Sequence, residues 1–311
     1  MARRERLILA MMIGLMAGGF CYVYQRYIYV NPADFLWPLE GARALLAGQN
    51  PYEDATRYPL GLPLYYPLPT LMAVLPFIAF PEHVGSALFF GLSSALVAYF
   101  MLQSQPPWRL LLFLSAPYYE ALRTVQWSPL LTLMTLLPAL LPLALIKPNL
   151  GLSLALADPR QWTRRSLMIS AILLLLSFVL SPTWPVGWLF QLGPYGGVPP
   201  LLVEPLGFLL VFALLRWRDY EGRLLFFMAL LPKRVFYDQL ALWMIPRNAV
   251  EMALLTVASW VGYIAWFASQ DWENRSAWMV GALYLPALAV LLYPLVFDWI
   301  KKRVDIINAR E

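Results

Sequence analysis

The chain of 311 residues is 60% apolar and only 13% charged, whereas an ordinary soluble domain is roughly 25% charged. Its mean hydropathy of +0.61 and its long apolar runs exclude a typical soluble enzyme, because the runs reach the length of about 20 residues that a membrane-spanning helix needs. The alternation that marks an outer-membrane barrel is absent, so we predict an all-α polytopic membrane protein.

The net charge of +5 is divided among short clusters between apolar runs, a pattern that orients membrane helices rather than binding nucleic acid. The clusters are Arg3, Arg4 and Arg6; Arg160, Arg164 and Arg165; Arg216, Arg218 and Arg223; and Lys301, Lys302 and Arg303. We therefore predict a multi-pass cell-membrane protein with both termini in the cytoplasm. The first apolar run has no clear small-residue cleavage site and is expected to stay as a helix.

The apolar runs predict about 10 to 12 spanning or partly spanning helices in one integral-membrane domain, 1–311. They lie at 7–30, 66–80, 84–102, 109–122, 128–146, 149–158, 166–181, 201–215, 224–232, 237–246, 249–268 and 277–297. On this path 66–80 crosses inward, 84–102 crosses outward to Gln103, and 128–146 crosses outward as one span to Lys147. Two outer loops follow from it, at about 31–65 and 182–200. Several runs are too short to cross a bilayer alone, which is typical of helices that line a cavity.

The first outer loop is predicted to hold an interfacial helix over 35–47, ended by Gly48 and by Asn50–Pro51. Glu40 and Arg43 are three residues apart and would pair on it. Asp34 lies just before this helix, and it is either a helix cap or a carboxylate free to act elsewhere.

Several motifs of this loop resemble the first outer loop of GT-C glycosyltransferases, most closely glycosyltransferase family 87, the polyprenyl-phosphate-mannose-dependent mannosyltransferases. The matching residues are Asp34, Trp37, Ala42, Gly48, Asn50-Pro51-Tyr52 and Tyr66-Pro67. Gln126 with the later Lys147-Pro148, and Pro232-Lys233-Arg234 with Tyr237-Asp238, resemble further segments of the family. The matched order covers about residues 31–245. Val125 stands where the family usually has glycine, and the single histidine, His83, is expected at an inner turn.

The resemblance implies a membrane glycosyltransferase that moves a hexose, with mannose the first candidate, from a polyprenyl-phosphate sugar to a lipid or glycan acceptor of the cell envelope. It implies Asp34 as the catalytic base on the outer face. A departing phosphate needs cations, for which Lys147, Lys233 and Arg234 are the candidates. The predicted substrate cavity contains Trp37, Tyr52, Tyr66, Gln126, Tyr237 and Asp238.

One carboxylate, without the acid and nucleophile pair of a retaining hydrolase, favours direct displacement with inversion at the sugar carbon. No cofactor is expected beyond the lipid-linked substrate. With one His and one Cys no metal site is predicted, since the adjacent Glu53 and Asp54 are more often simply solvated.

Other interpretations stay open. A transporter or lipid flippase also has short helices and intramembrane charges, although such proteins usually show internal repeats and none is found here. A non-catalytic subunit of a membrane complex would fit the short chain. The aromatic residues could be interfacial anchors, and the cations could extend to lipid headgroups. No oligomeric state is predicted.

Overall fold

The computed structural model describes residues 2–28, 33–193, 197–232 and 236–308. In these ranges the fold is helical and contains no β-strand. The α-helices are α1 Arg3–Val23, α2 Leu36–Leu46, α3 Leu68–Val74, α4 Glu82–Ser104, α5 Ala116–Thr124, α6 Ser128–Leu136, α7 Pro148–Ala157, α8 Arg164–Leu180, α9 Trp184–Gln191, α10 Tyr220–Leu230, α11 Ala249–Ala268, α12 Trp272–Met279 and α13 Leu285–Asn308. The longer 3₁₀ segments are Pro107–Leu114, Leu141–Leu145, Gly207–Arg216 and Phe236–Met244.

Four helical stretches in the described residues are long and apolar enough to cross a membrane: Arg3–Ile28, Glu82–Ser104, Ala249–Ala268 and Glu273–Leu295. Helices α8 and α9 give a fifth if the pair, bent by 92°, counts as one span. The expected all-helical class is therefore confirmed, and these stretches are compatible with a polytopic membrane protein. Of the predicted 10 to 12 spanning or partly spanning runs, only these four or five are long enough to cross alone within the described residues. The remaining apolar runs are cut into short α and 3₁₀ pieces, frequently at prolines, which cannot donate the backbone hydrogen bond that continues a helix.

Helices α1 and α4 pack closely and run antiparallel. A Cβ atom on Gly14 would lie 2.6 Å from the Cβ of Ala95 and 2.8 Å from the carbonyl oxygen of Gly91, so only glycine permits this approach. The rings of Tyr22 and His83 meet with centroids 5.2 Å apart. Helix α4 thus begins at the end of the molecule where α1 stops. We call this the Asp34 end, and the other the opposite end.

The run 66–80 does not cross the molecule. Helix α3 has only seven residues, a rise of about 10 Å, and Arg43 of α2 pairs with Glu82 at the start of α4 at 3.4 Å. The stretch between α1 and α4 therefore leaves from and returns to the Asp34 end. The predicted path is therefore wrong at this point: 66–80 does not take the chain to the other end, so His83 lies at the Asp34 end beside Tyr22 and 84–102 runs from the Asp34 end to the opposite one. Gln103 accordingly lies at the opposite end.

The run 128–146 is a hairpin rather than one span, which is a second correction. Helix α6 descends from the Asp34 end, and the chain reverses where Gln161 donates to the carbonyl oxygens of Met134 at 2.7 Å and Leu137 at 2.8 Å. Ala139 has a φ of 60° in this turn. The 3₁₀ segment Leu141–Leu145 then climbs back. As a result both ends of the run, and not only Lys147, lie at the Asp34 end.

The described residues of the two predicted outer loops lie at the same end, as expected. In the second loop Trp188 of α9 donates to the carbonyl oxygen of Tyr65 at 2.9 Å, and Gln191 donates to that of Tyr52 at 2.8 Å. Basic residues from two predicted cytoplasmic loops, Arg160 and Arg223, meet at the opposite end. That this end faces the cytoplasm remains a prediction.

Candidate functional site

Asp34 is held at the start of the loop helix by its backbone and not by capping. Its N–H donates to the carbonyl oxygen of Thr124 at 3.0 Å, and the next residue, Phe35, is buried and stacks on Phe89 with ring centroids 4.4 Å apart. Helix α2 begins at Leu36 with Phe35 as its cap residue and no side-chain cap. The helix prediction is confirmed, whereas the interpretation of Asp34 as its cap is wrong.

The half-buried Asp34 carboxylate receives two side-chain hydrogen bonds from distant parts of the chain. Gln126 donates its amide Nε2 to Oδ2, and the Tyr237 hydroxyl donates to the same oxygen at 3.1 Å. No hydrogen bond from another described residue reaches the second oxygen, Oδ1. Gln126 is 92 residues from Asp34 in the sequence and Tyr237 is 203 residues from it.

A strained turn positions the Gln126 side chain beside Asp34. Helix α5 ends at Thr124, and the cap residue that follows, Val125, has a φ of 54° and lies in the left-handed region. This region costs a β-branched residue free energy, and glycine is the residue that adopts it most readily. The Gln126 N–H then donates to the carbonyl oxygen of Ala121 at 2.8 Å. The amide side chain follows the turn toward the carboxylate.

Lys147 connects this pair to a second carboxylate. Its Nζ donates to Oε1 of Gln126 at 3.0 Å, lies 2.7 Å from Oδ1 of Asp238, and sits 4.5 Å from the centre of the Tyr237 ring. The bond from Lys147 fixes the Gln126 amide with its Nε2 toward Asp34. The lysine is buried between these partners and is placed by the end of the 128–146 hairpin, where Thr70 donates to the carbonyl oxygen of Ile146 at 2.5 Å.

Tyr237 and Asp238 come from the first turn of the 3₁₀ segment Phe236–Met244. Asp238 is 1% exposed. Lys147 is its counter-charge, and within the described ranges neither carboxylate oxygen accepts a hydrogen bond of ordinary geometry. The site is therefore a linear network: Asp34 contacts Gln126, Gln126 contacts Lys147, and Lys147 contacts Asp238. Tyr237 donates to Asp34, and its ring lies against Lys147.

The environment of Asp34 raises its pKa above that of an ordinary aspartate. Removal of water by the surrounding protein is the largest cause, and the negative charge of Glu120 adds to it. The positive charge of Lys147 and the hydrogen bonds from Tyr237 and Gln126 act in the opposite direction without cancelling the rise. Because the carboxylate is hard to ionise without these neighbours, they are the groups that keep it available as a base.

A second polar cluster near Asp34 was missed by sequence reasoning. Glu120 of α5 is 2% exposed and accepts two hydrogen bonds from Arg123, at 2.6 and 2.7 Å, and one from the hydroxyl of Tyr263 at 2.5 Å. Arg123 also lies 5.3 Å from the centre of the Phe267 ring. Two opposite charges three residues apart in an apolar run were a usable signal. Nothing local indicated Tyr263, which lies within a span.

Trp37, Tyr52 and Tyr66 stabilise the first loop through hydrogen bonds and ring contacts. Trp37 donates to the carbonyl oxygen of Leu62 at 3.2 Å, and the Tyr52 hydroxyl donates to that of Tyr66 at 3.0 Å. Both Trp37 and Tyr52 are buried, while Tyr66 is half-buried with its ring 6.5 Å from that of Trp127. The structure thus places Trp37 and Tyr52 in the loop framework and Tyr66 between the loop and the Gln126 turn.

Two predicted phosphate ligands, Lys233 and Arg234, lie outside the described residues. The chain is described on both sides of them: the Pro232 carbonyl oxygen accepts from Asn149 at 3.3 Å, and Tyr237 reaches Asp34.

The adjacent loop carboxylates bind neighbouring loop residues. Glu53 accepts from Asn50 at 2.9 Å, and Asp54 accepts from Thr56. No group of three or more His, Cys, Asp or Glu suited to a metal ion occurs in the part of the chain that the structure describes.

Comparison of the chain with protein-family models, with curated proteins and with solved structures found no match.

Proposed function

We propose that this protein is an integral-membrane glycosyltransferase in which Asp34 is the general base. The reaction moves a hexose, with mannose the first candidate, from a polyprenyl-phosphate donor to a hydroxyl of a lipid or glycan acceptor. The observation that carries the proposal is the hydrogen bonding of the Asp34 carboxylate. Both of its hydrogen bonds from described residues fall on Oδ2, and Oδ1 is left for the acceptor hydroxyl.

The proposed step is a single displacement. Oδ1 of Asp34 takes the proton of the acceptor hydroxyl, and the acceptor oxygen forms a bond to C1 of the sugar. The bond between C1 and the phosphate oxygen breaks, and its electron pair leaves with the polyprenyl phosphate. A direct attack from the opposite side inverts the configuration at C1. The site needs no covalent intermediate, which agrees with a single accessible carboxylate.

In this proposal Lys147 has a different role from the one the sequence suggested. Its ammonium group is committed to Gln126 and Asp238, and it is buried rather than open to a phosphate. We assign it to holding the Gln126 amide and to favouring the ionised form of Asp34. The cations for the departing phosphate are then Lys233 and Arg234, an assignment that rests on the sequence alone.

The test is transfer by the purified protein from a panel of polyprenyl-phosphate hexoses, with Asp34→Asn as the decisive variant. This change keeps the shape of the side chain and removes its basicity, so turnover should fall on the order of a hundredfold or more. Asp54→Asn is the matched control, because Asp54 is exposed in the same loop and binds only Thr56 among the described residues. It should keep near-normal turnover.

An Asp34→Asn protein with full transfer activity would remove the chemistry from this proposal. Absence of transfer from every donor in the panel, together with unchanged lipid binding in Asp34→Asn, would instead favour a transporter or a non-catalytic subunit.

A further inference from the structure

A polar cavity lies at the end of the molecule opposite to Asp34. Its volume is about 390 Å³, and its polar lining includes Arg109, Asp158, Arg160, Tyr220, Glu221 and Arg223. Three arginines face two carboxylates, and one of these, Asp158, is already bound to Arg160 at 2.9 Å. The remaining lining therefore carries a net positive charge.

Two residues of this cavity hold buried hydrogen-bond donors that nothing in the described structure satisfies. Arg109 is 9% exposed. Its Nη1 and Nη2 donate to the carbonyl oxygens of Trp243 at 3.2 Å and Pro246 at 2.9 Å, but its Nε has no partner. The hydroxyl of Tyr220 has none either. A buried donor without an acceptor costs free energy, so both positions favour a bound group that supplies acceptor oxygens.

The start of α10 adds further donors beside the same cavity. The first N–H groups of a helix have no partner within it and carry partial positive charge. Asp219, the residue before α10, does not cap them, because its carboxylate is bound to Arg216. Tyr220 and Glu221 open the helix and both line the cavity.

We infer that this cavity binds a phosphate group, carried by a lipid headgroup or by a soluble phosphate compound. A phosphate has several acceptor oxygens and a negative charge, which match two unpaired donors, an uncapped helix start and an excess of arginine. Glu221 is the one lining carboxylate with no described ion pair, and its negative charge would repel a bound anion. The inference is independent of the transfer reaction proposed above, since it concerns the other end of the molecule.

The experiment measures binding to the purified full-length protein in neutral detergent by isothermal titration calorimetry. The probes are dihexanoyl phosphatidic acid, dihexanoylglycerol, which lacks the phosphate, and glycerol 3-phosphate, which lacks the tails. Binding of phosphatidic acid alone identifies a lipid headgroup site, and equal binding of glycerol 3-phosphate identifies a soluble phosphate site. Binding of dihexanoylglycerol as tightly as phosphatidic acid contradicts phosphate recognition.

Two single changes make the test specific to this cavity. Tyr220→Phe removes one donor and should weaken phosphate binding by about tenfold, the loss expected for a hydrogen bond to a charged group. Glu221→Gln removes the opposing charge and should tighten binding, a gain that misfolding cannot imitate. Tyr293→Phe, on an exposed face of α13, is the control and should change nothing. Weaker binding in Glu221→Gln, or no change in either cavity variant, would overturn the inference.

Discussion

Three neighbours of the Asp34 carboxylate counteract the effect of burial on its pKa. Loss of water raises its pKa, while Lys147, Tyr237 and Gln126 lower it. A base must be ionised to accept a proton, so these neighbours decide the pH range in which the proposed reaction runs. The role of each one can be separated by its effect on pH dependence rather than on rate alone.

The raised pKa of Asp34 predicts an acidic limb of kcat/KM at a pH above the ordinary aspartate value of about 3.9. Tyr237→Phe removes a hydrogen bond that favours the ionised form, so the pKa should rise and the limb should move to higher pH. The measurement is a pH profile of transfer. Tyr52→Phe loses a bond to the loop carbonyl of Tyr66 and should leave the limb in place. A limb that moves to lower pH in Tyr237→Phe would contradict this account.

The buried pair of Lys147 and Asp238 predicts a non-additive loss of stability. Lys147→Met leaves the carboxylate of Asp238 buried without its counter-charge, which should cost about 3–5 kcal/mol of unfolding free energy. Adding Asp238→Asn removes that charge, so the double variant should recover a large part of the loss. Thermal unfolding of the purified single and double variants checks this. Losses that simply add would show that the two groups do not depend on each other.

At the scale of elements, the glycine contact between α1 and α4 places the Asp34 loop. The Asp34 segment is attached to the end of α1, and α4 returns from the same end beside Glu82. Phe35 packs on Phe89 of α4, so a shift between the two helices reaches the residue next to Asp34. The close approach at Gly14 is therefore part of what positions the candidate base.

Gly14→Leu should disturb this contact, because a Cβ there already lies 2.6 Å from the Cβ of Ala95. Overpacking of a tight contact costs about 1–3 kcal/mol, so the melting temperature and the transfer rate should both fall. Gly19→Leu is the matched control on the same helix, since a Cβ on Gly19 meets nothing within 4 Å. Equal effects of the two changes on melting temperature would show that α1 and α4 do not pack in this way.

For the whole molecule, the reversal of 66–80 changes which segments share an end of the molecule. The sequence places the end of the 84–102 run with the outer loops, whereas the structure places it at the opposite end with Arg160 and Arg223. The hairpin at 128–146 then restores the predicted side for later segments. The two corrections offset each other, which is why the loops at 160–165 and 182–200 still lie at opposite ends of the molecule, as the sequence predicts.

Single cysteines in a Cys21→Ser background test this arrangement. Asp54→Cys should react with a membrane-impermeant thiol reagent added outside, and Ser104→Cys and Arg218→Cys should react only after the membrane is opened. All three positions are exposed, so access and not burial decides the result. Labelling of Ser104→Cys from outside together with Asp54→Cys would support the sequence-based path and contradict the structure.

The sequence by itself determined the helical membrane class, because composition and the length of apolar runs are local properties that need no tertiary information. It also determined helix α2 and the ion pair of Glu40 with Arg43, both of which the structure contains, because they depend on residues within one or two turns. Whether a short apolar run crosses from one end of the molecule to the other is not a local property. Whether 66–80 crosses or returns depends on the contact of Gly14 with α4 and on the pair of Arg43 with Glu82, neither of which a hydropathy pattern contains.

Only the tertiary structure decided how the candidate site is assembled. Asp34, Gln126, Lys147 and Tyr237 were each chosen from the sequence, but their contacts join residues 92 and 203 positions apart. The hairpin that turns at Ala139, where Gln161 donates to the hairpin's carbonyl oxygens, brings Lys147 to Gln126, where it lies buried and paired instead of open to a phosphate. Hydrogen bonds and ion pairs of this kind depend on the path of the whole chain, so the residue types could be predicted and their partners could not.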